Sequence, residues 1–214
     1  MKARARNIAL KVAYDGTNYH GFQRQTAPVI AVQNVLERAL AKVCGEQVEL
    51  AAAGRTDAGV HAYGQVVNFF TDGRIPVARL PRAVNGLLPP DIVVTEAWEA
   101  ARDFSARHSA TGKTYVYRIE QCTVPNPFTR SYVWQIFQPL DHDAMRAVLA
   151  LLVGTHDYSS FRAAGGAPMS PVRTLDEIRL TEEGAGRLSC HLHGNGFLYH
   201  MVRNIMSAMV SVGL

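Results

Sequence analysis

The stretch Gly54-Arg55-Thr56-Asp57-Ala58-Gly59-Val60-His61 is the centre around which the rest of the chain is organised. An apolar run, Val48 to Ala53, precedes it, and Gly64 to Phe70 follows with the pattern of a strand. Two glycines therefore flank an arginine and a carboxylate in a connection between strands. Glycine lets backbone turn tightly or approach a ligand, and loops on a rigid sheet often carry chemistry. Asp57 and Arg55 are thus candidate functional residues; the alternative is a surface turn with a weak ion pair.

The elements around this stretch predict a ferredoxin-like first half. Apolar residues three and four apart favour a helix over 32–43, and Gly45 is expected to cap it. A second, shorter helix is predicted over 77–87. Strands are predicted at 8–14, 48–53, 64–70 and 92–98. The order β-α-β-β-α-β is that of the ferredoxin-like motif.

The second half repeats this order without its closing strand. Strands are predicted at 113–120, 172–180 and 187–193, with a short apolar piece at 134–137 and a loop at 155–171. Helices are predicted at 141–152, where Asp141 is suited to an N-cap, and at 197–214. We therefore expect an α+β protein of two ferredoxin-like halves, residues 1–100 and 101–214, the second lacking its last strand.

Composition is that of an ordinary globular protein with a basic surface. The 214 residues are 48% hydrophobic with net charge +4, and no apolar run approaches the roughly 20 residues of a membrane helix. Three widely separated cysteines fit a reduced, cytoplasmic protein. Arginine supplies 18 of the 22 lysines and arginines, which favours a phosphate-rich partner because arginine binds phosphate through two N–H groups. Codon or temperature bias in the source is the alternative.

Three histidines suggest a metal site, but they do not supply a complete set of ligands. His191 and His193 would share one face of a strand, with His200 nearby in sequence. No carboxylate or cysteine is placed to finish a tetrahedral set, since Cys190 would point to the opposite face. The prediction is therefore no metal, and no nucleotide-binding motif implies a cofactor.

Arg203 is unusual because it lies within an otherwise apolar helix. A buried arginine is costly unless a carboxylate pairs with it, and Asp57 is the candidate partner. The alternative is that the Arg203 side chain reaches solvent.

Four segments in the same order resemble the tRNA pseudouridine synthase A family. The first is Gly54–His61 with Gln65-Val66 after it, and the second is the loop Tyr19–Gln25, where Phe22 stands for a usual Trp. The third runs from Phe104–Arg107 through Lys113–Arg118, and the fourth is Phe197–Ile205. The resemblance covers nearly the whole chain.

The resemblance implies an isomerase that converts uridine to pseudouridine at tRNA positions 38 to 40, in the anticodon stem-loop. It implies a homodimer without cofactor or metal, and a mixed, mostly antiparallel sheet around a central RNA-binding cleft. Asp57 takes the position of the catalytic aspartate, and Arg203 that of the arginine paired with it. Tyr115 takes the position of the tyrosine that stacks on the target base. By the same resemblance the substrate-binding residues are Tyr115, Arg55, Arg24 and Gln23.

The chemistry suits these residue types. A carboxylate can add to a sugar carbon or to C6 of uracil, and the target nucleotide must be flipped out of its stem. The family usually continues for several dozen residues past a position like Leu214, so a missing C-terminal segment is expected. Two other hypotheses remain: a non-catalytic RNA-binding module, which would not need Asp57, and a metal-dependent hydrolase using the three histidines.

Overall fold

The structure is a computed structural model that describes residues 5–166 and 168–214. The chain divides into two compact units, Met1–Ala110 and Thr111–Leu214. One β-sheet and two α-helices lie in each unit, so the α+β class predicted from the sequence is confirmed. No helix within the described ranges is long and apolar enough to cross a membrane.

The first unit has the ferredoxin-like arrangement. Its sheet order is β2-β3-β1-β4, and every neighbouring pair is antiparallel. A 3₁₀ turn, Val77–Arg79, leads into the second helix. The elements are β1 (Arg6–Tyr14), α1 (Val32–Cys44), β2 (Ala51–Ala52), β3 (Ala62–Thr71), α2 (Leu80–Asn85) and β4 (Ile92–Ala100).

The core of the first unit lies between one face of this sheet and its helices. Residues 7–10 of β1 are all buried. Beyond them, buried Val12 and Tyr14 alternate with half-buried Lys11 and Ala13, because successive side chains of a strand point to opposite faces. Gly45 ends α1 with φ 72°, which confirms the predicted cap. The buried set includes Ile8, Leu10, Val12, Leu36, Leu40, Val67 and Phe69.

The predicted strand over 48–53 is wrong in length: the strand is Ala51–Ala52, followed by one bond from the Ala53 amide to the Val66 carbonyl at 2.9 Å. The backbone N–H and C=O groups of Leu50 form hydrogen bonds with side chains of α1 and not with a strand. Its amide donates to Glu37 Oε1 at 3.0 Å, and its carbonyl accepts from Gln33 Nε2 at 3.2 Å. Leu50 is apolar because it belongs to the hydrophobic core. Its apolar character made it look like a strand residue in the sequence.

Residues 101–110 belong to the first unit, which extends beyond the predicted boundary at residue 100. Asn7 Nδ2 donates to the carbonyls of Ala101, at 2.8 Å, and Phe104, at 2.9 Å. Asn68 donates to Asn7 and accepts from the amide of Ala106 at 2.8 Å. Both asparagines are buried and need these partners, so this segment is fixed on the first sheet.

The second unit has a mixed, mostly antiparallel sheet of order β6-β5-β9-β8-β7. Only the β5–β6 pair is parallel, and it covers the last three residues of β5. The main core lies where α3 and α4 pack on the sheet. The elements are β5 (Lys113–Gln121), β6 (Trp134–Ile136), α3 (His142–Ala150), β7 (Gly154–Asp157), β8 (Val172–Gly184), β9 (Arg187–Gly194) and α4 (Met201–Gly213).

The starts of α3 and α4 are each set by the residue that precedes the helix. Asp141 accepts hydrogen bonds from the amides of Asp143 and Ala144 at 3.0 and 2.9 Å, which confirms it as the N-cap of α3. The last helix begins at Met201 and not at Phe197, because His200 has the left-handed conformation, φ 57°. A left-handed residue cannot continue a right-handed helix.

Strand β8 has one edge that is only partly paired. β7 pairs with Val172 to Leu175, and this strand lies where the sequence predicted a loop over 155–171, a prediction that is wrong at that point. From residue 176 to Gly184, β8 pairs with β9 alone among the described residues.

Candidate active-site residues

The loop that carries Asp57 is held by backbone hydrogen bonds from a second loop of the first unit. The amide of Phe22 donates to the carbonyl of Thr56 at 3.1 Å, and the amide of Gly59 donates to the carbonyl of Tyr19 at 3.2 Å. These bonds lie on either side of Asp57, whose own carbonyl accepts from the Val60 amide at 3.2 Å. The backbone at Asp57 is therefore fixed, while its side chain stays half-exposed.

Two glycines allow the second loop to come this close. A Cβ atom at Gly21 would lie 2.6 Å from the carbonyl oxygen of Thr56, and one at Gly16 would lie 2.0 Å from that of Val60. Gly21 also has φ 83°, which favours glycine. The sequence analysis did not select Gly16 or Gly21; two glycines within one short loop were the only signal.

Side chains add a second set of contacts between the two loops. The hydroxyls of Tyr14 and Thr56 lie 2.8 Å apart. His61 Nδ1 lies 3.1 Å from the Gly16 amide nitrogen and 3.0 Å from Asp15 Oδ1. This nitrogen accepts from Gly16 when it carries no proton and donates to Asp15 when it carries one. Thr56 and His61 lie in the stretch singled out from the sequence, whereas their partners Tyr14 and Asp15 were not selected.

A buried tyrosine anchors the second loop to the start of β4. The hydroxyl of Tyr19 donates to Asp91 Oδ1 at 2.7 Å. Burial and this carboxylate raise the pKa of Tyr19 well above its usual value, so the hydroxyl keeps its proton and remains a donor at any physiological pH. The anchor is therefore independent of pH in that range.

The other residues predicted in the first unit differ in their surroundings. Arg55 is exposed, and Gln23 is half-buried. Arg24 pairs with two carboxylates, Glu37 at 3.3 Å and Glu49 at 3.0 Å. Arg24 would have to leave or share these partners to bind an anionic substrate.

In the second unit, Tyr115 lies on the same face of β5 as Lys113 and Tyr117. The ring of Tyr115 meets that of Phe197 edge to face, with centroids 4.9 Å apart and an interplanar angle of 76°. Tyr117 meets Trp134 in the same way at 6.3 Å. This face of β5 is therefore aromatic at residues 115 and 117, and Tyr115 is held in one orientation by Phe197.

The Arg203 side chain is exposed, which is the second of the two alternatives left open by the sequence. The buried residues of α4 form a stripe on the other side of the helix, Met201, Ile205, Met206, Met209 and Val210. Burial raises the pKa of Tyr117, and the positive charge of Arg203 partly offsets that rise, so Arg203 is close to the face of β5 described above. Its pairing with Asp57 stays a prediction.

Two of the three histidines, His193 and His200, make separate contacts. His193 Nδ1 lies 2.9 Å from the hydroxyl of Thr114, and the ring of His200 stacks on Tyr199 at 3.9 Å. Over residues 5–166 and 168–214, no group of three or more His, Cys, Asp or Glu side chains could hold a metal ion. Burial raises the pKa of Cys190 to about 12, so this thiol stays protonated.

The sequence model for the family described as tRNA pseudouridine synthase matches residues 10–109 and 148–214. The chain belongs to this family. The membership predicted from the four motifs is therefore confirmed.

Individual pseudouridine synthases match over nearly the whole chain. The tRNA pseudouridine synthase A of Thermoanaerobacter sp. (strain X514) is 44% identical over 209 residues, which are 98% of this chain and 85% of that protein. The enzyme of the same name from Neisseria gonorrhoeae (strain ATCC 700825 / FA 1090) is 45% identical over 211 residues, 99% of this chain and 79% of that protein. Among solved structures, the archaeal box H/ACA sRNP Nop10-Cbf5 complex has a chain with a TM-score of 0.43 and 12% identity, over 95% of this chain and 44% of that one.

Proposed function

We propose that this chain isomerises uridine to pseudouridine in the anticodon stem-loop of tRNA, at positions 38 to 40. The observation that carries the proposal is a fixed Asp57 loop in a chain of the tRNA pseudouridine synthase family. The reaction needs a carboxylate at a defined position, and a loop held by backbone bonds on both sides supplies one. The proposal includes a cytoplasmic homodimer that works without metal or cofactor.

The reaction breaks one glycosidic bond and makes another. The C1′–N1 bond breaks, the uracil turns, and a C1′–C5 bond forms. The C5 proton is lost to solvent, and N1 ends with a proton. Asp57 acts as the nucleophile, either at C1′ of the ribose or at C6 of uracil, and is released when the new bond is complete. A half-exposed carboxylate on a fixed backbone suits this role because little reorganisation precedes attack.

The other residues are assigned to RNA binding, except Arg203, which has an electrostatic role. Tyr115, oriented by Phe197, is the platform for the freed base, which must not leave before the second bond forms. Arg55, exposed two residues before Asp57, helps hold the target base outside the stem. Arg203 pairs with Asp57 and favours its ionised form, because a nearby positive charge stabilises a carboxylate. Arg24 and Gln23 bind the RNA backbone, Arg24 by exchanging a carboxylate partner for phosphate.

The test is tritium release from tRNA that carries [5-³H]uridine. The parent is expected to release tritium with EDTA present. Asp57→Asn is expected to lower the rate by more than about a thousandfold, because an amide does not replace the carboxylate nucleophile. Binding of tRNA by Asp57→Asn should stay within a few-fold of the parent.

Asp91→Asn is the matched control, since it makes the same change at a carboxylate that only anchors Tyr19. It should lower the rate far less than Asp57→Asn. Tritium release by Asp57→Asn at the parental rate would contradict the proposal. A parent that binds tRNA and releases no tritium would favour an RNA-binding module.

A further inference from the structure

A cavity of about 290 Å³ lies at one end of the second sheet. Strands β5 and β8 begin at this end, and β9 ends there. Lys113 begins β5 and pairs in register with Gly194, the last residue of β9. Gly194 also pairs with Leu175, two residues after Arg173 on β8. We call this cavity the phosphate pocket; its lining residues are Lys113, Met169, Arg173, Asn195, Gly196 and Phe197.

The lining of the phosphate pocket carries two positive charges and no negative one. Lys113 and Arg173 are the cations, and both are half-buried. Two cations that face one partly dehydrated cavity repel each other unless an anion lies between them. The pocket therefore has the electrostatics of an anion site.

Arg173 is held in position by neutral groups. One terminal nitrogen donates to the carbonyls of Ser170, at 2.8 Å, and Val172, at 2.6 Å. The other lies 3.0 Å from the sulfur of Met169. Among the described residues no carboxylate forms an ion pair with Arg173, so its charge is oriented without being neutralised.

A glycine gives access to this arginine. A Cβ atom at Gly196 would lie 3.5 Å from Arg173 Nε, so any longer side chain there would cover that nitrogen. The neighbouring turn is fixed, because the Asn195 amide donates to the Thr174 carbonyl and Asn195 Oδ1 accepts from the Thr174 amide, both at 3.1 Å. The pocket is thus rigid on this side and open at Arg173 Nε.

The phosphate pocket is next to Tyr115. Phe197 both lines the pocket and contacts the Tyr115 ring. Lys113 and Tyr115 are two residues apart on one strand face, which is about 6.6 Å. That distance is comparable with the spacing of neighbouring nucleotides along an RNA strand.

We propose that the phosphate pocket binds a backbone phosphate of the substrate RNA, next to the nucleotide whose base stacks on Tyr115. The inference rests on the function proposed above and adds Lys113 and Arg173 to its RNA-binding residues. Arginine can donate two hydrogen bonds to a phosphate, and lysine adds a point charge. The pocket would fix the strand beside the flipped nucleotide without reading its sequence.

The first measurement is tRNA affinity as a function of salt concentration for Lys113→Gln. Loss of one charged contact should weaken binding about tenfold. It should also lower the magnitude of the slope of log K against log salt by about 0.7 to 0.9. Arg146→Gln is the matched control, because Arg146 lies outside the pocket lining and pairs with Asp143 and Glu182. It removes the same net charge and should leave the slope unchanged.

The second measurement identifies the phosphate. In a stem-loop RNA, each phosphate near the target uridine is replaced in turn by a neutral methylphosphonate. At one position the parent should lose more affinity than Lys113→Gln does, because the variant already lacks one of the two cations that contact that phosphate. That position should lie within one nucleotide of the target. Equal losses for parent and variant at every position would overturn the proposal.

Arg173→Lys and Arg173→Gln separate charge from folding. Arg173→Gln could release the carbonyls of Ser170 and Val172, so its melting temperature is compared with that of the parent. Arg173→Lys should keep most of the salt slope, and Arg173→Gln should lose it as Lys113→Gln does. Tritium release by the parent tests the proposed function separately. Release with unchanged slopes in all pocket variants would overturn the phosphate pocket alone.

Discussion

The loop around Asp57 and the start of β5 around Tyr115 are fixed in different ways. Backbone hydrogen bonds from a second loop hold the first, and they need glycines at the points of contact. The register of a strand and one aromatic contact hold the second. Substitutions at the first region should therefore change the fold and the reaction together, and substitutions at the second should change RNA binding with less effect on stability.

Gly21→Ala should cause the largest loss of stability and activity. A small loss would contradict the idea that the Asp57 loop needs glycine at its point of contact. The left-handed conformation costs a non-glycine residue about 1 to 2 kcal/mol, and the close Thr56 carbonyl adds about 1 to 3 kcal/mol of overpacking. Tritium release should fall with stability, because the displaced carbonyl is adjacent to Asp57. Urea unfolding measures the loss of stability, and initial rates measure the loss of tritium release.

Gly45→Ala is the control for Gly21→Ala. Gly45 has φ 72° and no atom within 4 Å of a built Cβ, so it tests the conformation without the close approach. It should cost only the first of the two amounts and leave the rate per folded molecule unchanged. If both variants lost equal stability, the contact between the loops would not be the reason for glycine at position 21.

Tyr115→Ala should act on RNA binding. Stacking of a base on an aromatic ring contributes about 1 to 3 kcal/mol, so tRNA affinity should fall by about tenfold or more. Tyr115→Phe keeps the ring and its contact with Phe197, and its affinity should stay within about twofold of the parent. Fluorescence titration with labelled tRNA measures both. Equal weakening by the two variants would indicate that the hydroxyl, and not the ring, binds the RNA.

Tyr14→Phe should give the smallest effect and sharpens the comparison most. Removing the hydrogen bond to Thr56 should cost about 1 kcal/mol of stability and should also slow tritium release several-fold, since Thr56 precedes Asp57. Tyr158→Phe in the second unit removes a similar bond, to the Leu152 carbonyl at 2.6 Å. It should cost similar stability and leave the rate unchanged. A rate equally affected by both would argue against a specific role for the Asp57 loop contacts.

The strand and helix order was readable from the sequence wherever side chains alternate between core and solvent. β7 was missed because Gly154-Thr155-His156-Asp157 has no apolar alternation, and it joins the sheet through its backbone and the Thr155 hydroxyl. Strand β2 was predicted too long because Val48 and Leu50 are buried without strand pairing. In both cases backbone partners decide the structure, and side-chain patterns do not record them.

The candidate site was readable as motifs and not as contacts. Asp57, Arg55 and Tyr115 were identified, but the bonds from residues 16–22 to the Asp57 loop join segments more than thirty residues apart. The sequence left open whether Arg203 is buried or exposed, because its helix is apolar. Arg203 lies two residues after Met201 and two before Ile205, off the buried stripe, and that spacing decides for exposure.

The partly paired edge of β8 bears on whether strands of other molecules can add to the second sheet. An open strand edge can pair with a strand of another chain and start aggregation. The stretch Asp176-Glu177-Ile178-Arg179-Leu180-Thr181-Glu182-Glu183 is mostly charged, and charged side chains must be dehydrated when a strand is added beside them. At the corresponding edge of the first sheet, β2 is only two residues long and offers little to pair with. The two units thus limit edge-to-edge aggregation by different means, one by charge and the other by length.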